Sequence, residues 1–302
     1  MTSGVRVLSS HLILVIFLVM SIFPFAVISL NTFRTTPEIQ RSSLGVPAQL
    51  GTLINNIKGA KGTDSQGRQQ SFADTWYELT AGYKRAWKYM RDYTVNTLFV
   101  ALVTGIGTVL AASLCAYVLA RFHFPGSRFL YLLVISMMMI PGVLTLIPSF
   151  LLVKDLGLLN SYLALILPYI AGGQIMAIFL MKGFFEDLPK DMFDAGEIDG
   201  AGHLRLYWHV VLPLSQPIVY LIFALSILGV WNNFLWPFVV NSNPKYHVIP
   251  SGIYLLSREM GGQGDLQSIY SAYVLSAIPM LVLFILATRA FLRGITAGAF
   301  KA

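Results

Sequence analysis

The sequence predicts an all-α polytopic membrane protein with six transmembrane helices, and three observations carry that expectation. Of the 302 residues, 56% are hydrophobic and only 12% charged, and the mean hydropathy is +0.67. The apolar residues gather in six stretches of bilayer-crossing length, each about 18 residues or longer. No Asp, Glu, Lys or Arg stands in the interior of any of these stretches.

The first stretch, 11–30, ends in "SIFPFAVISL". It has no small-x-small cleavage site, so it reads as a retained, proline-kinked helix rather than a signal peptide with Arg6 as its basic region. Residues 32–93 form the one sizeable extracytoplasmic segment. Within it "NNIKGAKGTDSQGRQQS" (55–71) reads as a mobile loop. "WYELTAGYKRAWKYMRD" (76–92) sets Trp76, Tyr83, Trp87 and Tyr89 among basic residues and reads as an amphipathic helix lying on the outer membrane surface.

The remaining segment, 94–302, holds the other five stretches. The second, 94–120, contains Gly107 and Ala111 four apart, a close-packing face. It also holds the one cysteine, Cys115, so no intrachain disulfide forms. The third, 129–152, contains Pro141 and Pro148; the fourth is 161–181; the fifth, 214–240, has Pro237 near its end; the sixth is 269–288. Neighbouring helices in a bundle re-satisfy the backbone groups that proline frees.

Orientation follows from Lys and Arg. With the N-terminus inside, the inner segments hold nine of them (among them Arg121, Lys182, Lys190 and Arg205) and the two short outer loops three: Lys154, Lys245 and Arg258. The long segment 32–93 is exempt from the rule, so both termini are expected in the cytoplasm. The net charge of +7 sits in loops and at helix ends. That placement suits a lipid bilayer, with no nucleic acid partner.

Several functions are excluded. Charge-free spans offer no proton or ion relay. The histidines (His11, His123, His203, His209, His247) all lie outside the span interiors, no HExxH occurs, and neither a catalytic constellation nor a metal site is expected. GxxxxGK[ST] is absent, so the chain binds no ATP through a P-loop, and uphill transport would draw its energy from another polypeptide.

The exception to this apolar character is "DMFDAGEIDGAG" (191–202), with Asp191, Asp194, Glu197 and Asp199 among three glycines. Asp187 is placed to cap a helix with Pro189 in its first turn, and acidic residues in early turns suit the helix dipole. Gly196 and Gly200 share one helical face at about 1 kcal/mol each relative to alanine, a cost that close approach of another surface would explain. Gly202 reads as the helix stop. Leu204, Tyr207, Trp208 and Val211 then form an amphipathic stripe along the membrane, before Leu212 and Pro213 turn the chain into the fifth span. On the residues alone, a glycine-capped polar loop and a projecting helix–turn–helix knob at about 187–210 both remain open.

"DAGEIDGAG" followed by "VVLP" resembles the cytoplasmic EAA motif of permease subunits of binding-protein-dependent ABC importers, roughly E-A-A-x-x-D-G-A with an apolar-x-Leu-Pro ending. Asp194 stands where the family usually has Glu, and Gly196 where it has the second Ala. "CAYVLARFHFPGS" (115–127), "MIPGVLTLIPSFLLVKDLGLLNSYLALILPY" (139–169), "WNNFLWPFVV" (231–240) and "RGITAGAFKA" (293–302) resemble its carbohydrate branch. The chain looks most like the six-helix permease of maltose-type systems, a type I ABC importer permease fold.

The resemblance implies that the knob is a coupling helix seated on an ATPase, through Asp194, Ala195, Gly196, Glu197, Asp199, Gly200, Ala201, Leu212 and Pro213. It implies a tail (292–302) reaching the ATPases through Gly294, Thr296, Ala297 and Gly298. An outer loop touching a sugar-binding protein through Ser257, Arg258, Glu259, Met260, Gly261 and Gly262 is implied as well. Trp231, Asn232, Asn233 and Trp236 offer hydrogen-bond groups and aromatic faces for a substrate path. The implied partners are a second permease subunit in a heterodimer, an ATPase dimer carrying ATP and Mg, and an extracytoplasmic sugar-binding protein, in a bacterial or archaeal inner membrane. The rival readings are a passive channel or facilitator for a small neutral solute, which leaves the glycine-faced knob unexplained, and a membrane enzyme, which lacks residues for chemistry.

Overall fold

Some prolines break the apolar stretches and others do not: Pro24, Pro168 and Pro279 stand inside unbroken helices. The computed structural model describes residues 2–42, 44–57 and 71–299, and its described residues contain helices and no strand. The helices are α1 (Thr2–Asn31), α2 (Thr36–Arg41), α3 (Ala48–Ile57), α4 (Phe72–Arg121), α5 (Ser127–Ser136), α6 (Leu146–Asp155) and α7 (Leu163–Glu186). They continue with α8 (Asp191–Ile198), α9 (His203–Leu206), α10 (Leu212–Leu214), α11 (Gln216–Asn232), α12 (Leu235–Val240), α13 (Ile249–Gly262) and α14 (Leu266–Ala299).

Among the described residues four helical stretches are singly long and apolar enough to cross a bilayer: Ser10–Asn31, Phe72–Arg121, Leu163–Glu186 and Leu266–Leu286. A fifth arises if His203–Leu214 and Gln216–Asn232, bent by 80° at Ser215, act as one. The expected third span is divided. After α5 a 3₁₀ turn covers Met137–Met139, and Ile140, preceding Pro141, is extended (φ −82°, ψ 115°) as the proline ring requires. Turns carry the chain to α6. Together with α7 this segment lines an apolar cavity of about 740 Å³, the kind of setting in which irregular backbone is tolerated at membrane depth. The expected fifth span is likewise interrupted, at Asn233 and Phe234 between α11 and α12.

Other expectations change. Residues 76–92, expected as a separate helix on the membrane surface, are the early turns of α4, which runs unbroken for 50 residues into the expected second span. Asn55–Ile57 belong to α3 rather than a loop; 58–70 lie outside the described residues.

The chain divides into two compact units, Met1–Arg91 with Gly252–Ile278, and Asp92–Ser251 with Pro279–Ala302. In the first, a polar knot on α14 holds the elements. Gln267 donates through Nε2 to the carbonyls of Thr32 (3.1 Å) and Glu78 (3.3 Å). Gly82 gives it room, since a Cβ there would stand 2.7 Å from the Gln267 Cγ. Arg85 pairs with Asp265 at 2.7 Å.

The second unit carries two apolar cores. One gathers Val100, Ala101, Val153, Leu165, Val230, Trp236 and Val240. The other gathers Ala112, Ala116, Tyr117, Met181, Phe185, Phe193, Leu206 and Tyr207. Gly107 admits the Ile170 side chain against the backbone of α4, so the expected close-packing face is used, although Ala111 is exposed.

Candidate functional site

The acidic segment folds as a knob of two short helices built on the second core. Helix α8 starts at Asp191 after Lys190, with no side-chain cap, and carries Asp191 and Asp194 in its first turn, where the helix dipole favours them. Asp187 is not its cap; it ends α7. The stop lies at Gly200, not Gly202: Gly200 has φ +75°, while Gly202 is extended and opens α9. Ala201 N–H donates to the Gly196 carbonyl (2.9 Å) and Gly200 N–H to the Glu197 carbonyl (3.0 Å). This is a Schellman closure, which needs a residue at ease in the left-handed region.

Gly196 has a different role from the one expected. A Cβ there would run into Leu206, so its bare face is already filled from α9, inside the knob. Leu206, Tyr207 and Val211 are the buried residues of the second helix, whereas Leu204 and Trp208, assigned to the stripe, are exposed. Leu206 is drawn inward against Gly196, and beyond it the backbone widens to a π-turn over Tyr207–Val211. Proline at 213 cannot donate to the carbonyl four residues back, which favours such a widening.

Asp194, Ala195, Glu197, Asp199 and Gly200 remain exposed; Ala201 and Leu212 are half-buried and Pro213 is exposed. The apolar tip was not foreseen: Ile198 is 86% exposed and Leu204 71%. Two large aliphatic side chains beside four carboxylates make a surface suited to a partner rather than to water. Ile198 stood in the motif, but nothing in the periodicity marked it as unburied.

The expected substrate-path residues separate. Trp236 is buried and donates through Nε1 to the Ala164 carbonyl (2.9 Å), and Trp231 is buried as well. Asn232 donates back to the Leu228 carbonyl of its own helix. Asn233 alone borders a cavity of about 290 Å³, with Thr104, Tyr169, Gly172, Ser226 and Gly229 among its walls. Tyr169 and Thr104 are among these walls, and their hydroxyls are buried with no partner among the described residues, an arrangement that costs about 1–3 kcal/mol per group. These residues were missed, and lone hydroxyls among glycines in apolar spans were the available signal.

Ser257–Gly262, expected as a flexible loop, are the last turns of α13. Arg258, Glu259, Gly261 and Gly262 are exposed, Ser257 is half-buried, and Met260 is buried and points inward. Gly264, at φ +71°, closes this helix as Gly200 closes α8. Gly294, Thr296, Ala297 and Gly298 are helical, in the last turns of α14; their side chains lie outside the described residues. Among the described residues no group of three His, Cys, Asp or Glu is placed to hold a metal ion.

Residues 108–297 match the model of the family described as binding-protein-dependent transport system inner membrane component. The diacetylchitobiose uptake system permease protein NgcG of Streptomyces coelicolor is 28% identical, over 97% of this chain and 88% of that protein. The galactooligosaccharides transport system permease protein GanQ of Bacillus subtilis is 32% identical, over 76% of this chain and 80% of its own length. A bacterial ABC transporter that imports the acidic polysaccharide alginate, known from a crystal structure, superposes with a TM-score of 0.76. It covers 96% of this chain and 98% of that one at 20% identity, a likeness of fold.

Proposed function

The chain belongs to the binding-protein-dependent transport system inner membrane components, a transport subunit and not an enzyme, and we propose that it is the sugar-class permease of an ATP-driven importer. The observation that carries this is the knob: a short acidic helix with an aliphatic tip, closed by a left-handed glycine and rooted on the core of α4 and α7. Such a surface seats in a cleft with basic and apolar walls, and a separate ATPase binding ATP and Mg supplies that cleft. Closure of two ATPases would move this chain and a second, partner permease between inward- and outward-facing arrangements. This reading puts the knob and both termini in the cytoplasm of a bacterial or archaeal cell, and the exposed turns of α13 on the outer side, against a binding protein.

The cargo is a neutral sugar. Its path runs by the 290 Å³ cavity, whose hydroxyls and carboxamide (Thr104, Tyr169, Ser226, Asn233) can exchange hydrogen bonds with sugar hydroxyls and carry no charge. The named uptake of diacetylchitobiose and transport of galactooligosaccharides by relatives support a di- or oligosaccharide. The test is purification from the native host in mild detergent, followed by uptake of radiolabelled diacetylchitobiose and galactobiose into proteoliposomes. A stoichiometric ATPase, a second permease and ATP-dependent uptake are expected. A homo-oligomer without ATPase that passes solute without ATP would replace this reading with a facilitator.

A further inference from the structure

We propose that Arg121, the last residue of α4, is the positioning residue that transmits movement of the knob to the membrane helices. This rests on the knob being the ATPase-docking element. The Arg121 Nη2 donates to the carbonyls of Phe185 (2.9 Å) and Leu188 (3.1 Å). Phe185 lies in the last turn of α7, where the dipole favours a cation; its carbonyl also accepts from the Leu188 N–H (3.4 Å). The guanidinium carbon also sits 3.7 Å from the centroid of the Phe193 ring, the buried side chain of α8. One planar cation therefore joins three elements: α4, the end of α7, and the docking helix.

The turn above it grips the other half of the knob. Tyr117 donates its hydroxyl to the His203 carbonyl (3.4 Å), Phe122 meets the His203 ring edge-on with centroids 4.7 Å apart, and Tyr207 shares a 2.7 Å hydrogen bond with Ser113. Both knob helices are thus held by the last turns of one membrane helix. That same helix contributes Thr104 to the cavity wall, so a pull on α8 reaches the substrate path through continuous helix. A lysine would keep the charge but not the planar group that lies over the Phe193 ring.

The experiment uses the whole complex in proteoliposomes with saturating binding protein, and reads sugar moved per ATP hydrolysed beside ATPase retained on purification. Arg121→Met is expected to keep its ATPase yet lower sugar per ATP by about tenfold or more, since it removes two charge-assisted hydrogen bonds and one alone is worth about that factor. Phe193→Leu keeps an apolar side chain and is expected to cost about threefold, the scale of a cation–π contact. The double variant is expected to be no worse than Arg121→Met, since both remove one joint. Arg121→Lys, which spares the charge at the helix end, secures a folded comparison and is expected to recover only part of the ratio.

Unchanged sugar per ATP in Arg121→Met and Arg121→Lys would overturn the proposal, as would loss of the ATPase from an inserted Arg121→Met chain, which would make Arg121 part of the seat. A failure of the docking reading looks different: the otherwise unaltered chain would keep its ATPase after Asp194→Lys with Glu197→Lys.

Discussion

Substitution of Gly200 separates backbone strain from docking, because the structure assigns them to different variants. Gly200 sits at φ +75°, and a Cβ there would meet nothing within 4 Å. The space at the Cβ is open, and Gly200→Ala and Gly200→Trp incur the same left-handed backbone cost, about 1–2 kcal/mol. Gly200→Asn incurs less, since Asn tolerates this conformation and its side chain bonds locally. A cost of that size shifts the closure of α8 by about 5- to 30-fold without unfolding the bundle.

The assay is ATPase retention on affinity purification, normalised to inserted chain, together with the thermal midpoint in detergent. Gly200→Asn should match the unsubstituted chain, and Gly200→Ala should lose a few degrees at most while keeping its ATPase. Gly200→Trp should show the same midpoint as Gly200→Ala yet lose the ATPase, because its ring projects from the exposed face. Equal retention by Ala and Trp, at any level, would refute the idea that this face is seated: strain alone would then explain the glycine.

Three further outcomes are expected. Gly196→Ala should overpack the knob against Leu206, costing about 1–3 kcal/mol, and Leu206→Val should restore most of it; additive losses in the double variant would show that the two do not meet. Tyr169→Phe removes a buried hydroxyl without a partner, so stability should hold or rise slightly, while the KM for sugar uptake should rise about threefold or more if that hydroxyl meets the cargo; an unchanged KM would remove Tyr169 from the path. Burial holds the His247 imidazole below its usual value, and its Nδ1 lies 2.9 Å from the Ser251 hydroxyl. Below about pH 6.5 the unfolded chain binds more protons than the folded one. Stability is therefore full above that pH and falls as pH drops through the lowered folded value; melting curves from pH 7.5 to 5 should show this slope, and His247→Gln should flatten it.

The membrane class, the absence of charge within the spans and the position of the knob were legible because hydrophobic run length and Pro–Gly punctuation are local properties of the chain. So was Gly107, whose lack of a side chain does admit a neighbour, Ile170. Register and partnership were not legible. The sequence marks Gly196 as bare but cannot say that Leu206, ten residues on, fills the space. It marks Trp236 as an aromatic with a donor but not that Ala164, 72 residues away, takes the hydrogen bond. It shows Arg121 as one more basic residue at a span end, while its three contacts come from elements that the chain reaches only 64 or more residues later. Composition and run length by themselves determined that this chain lives in a bilayer and carries one acidic, glycine-punctuated segment. Only the tertiary structure decided that this segment is a knob, which residues hold it and which stay exposed, because a side chain's role depends on what packs against it, and distant parts of the chain meet only when the bundle closes.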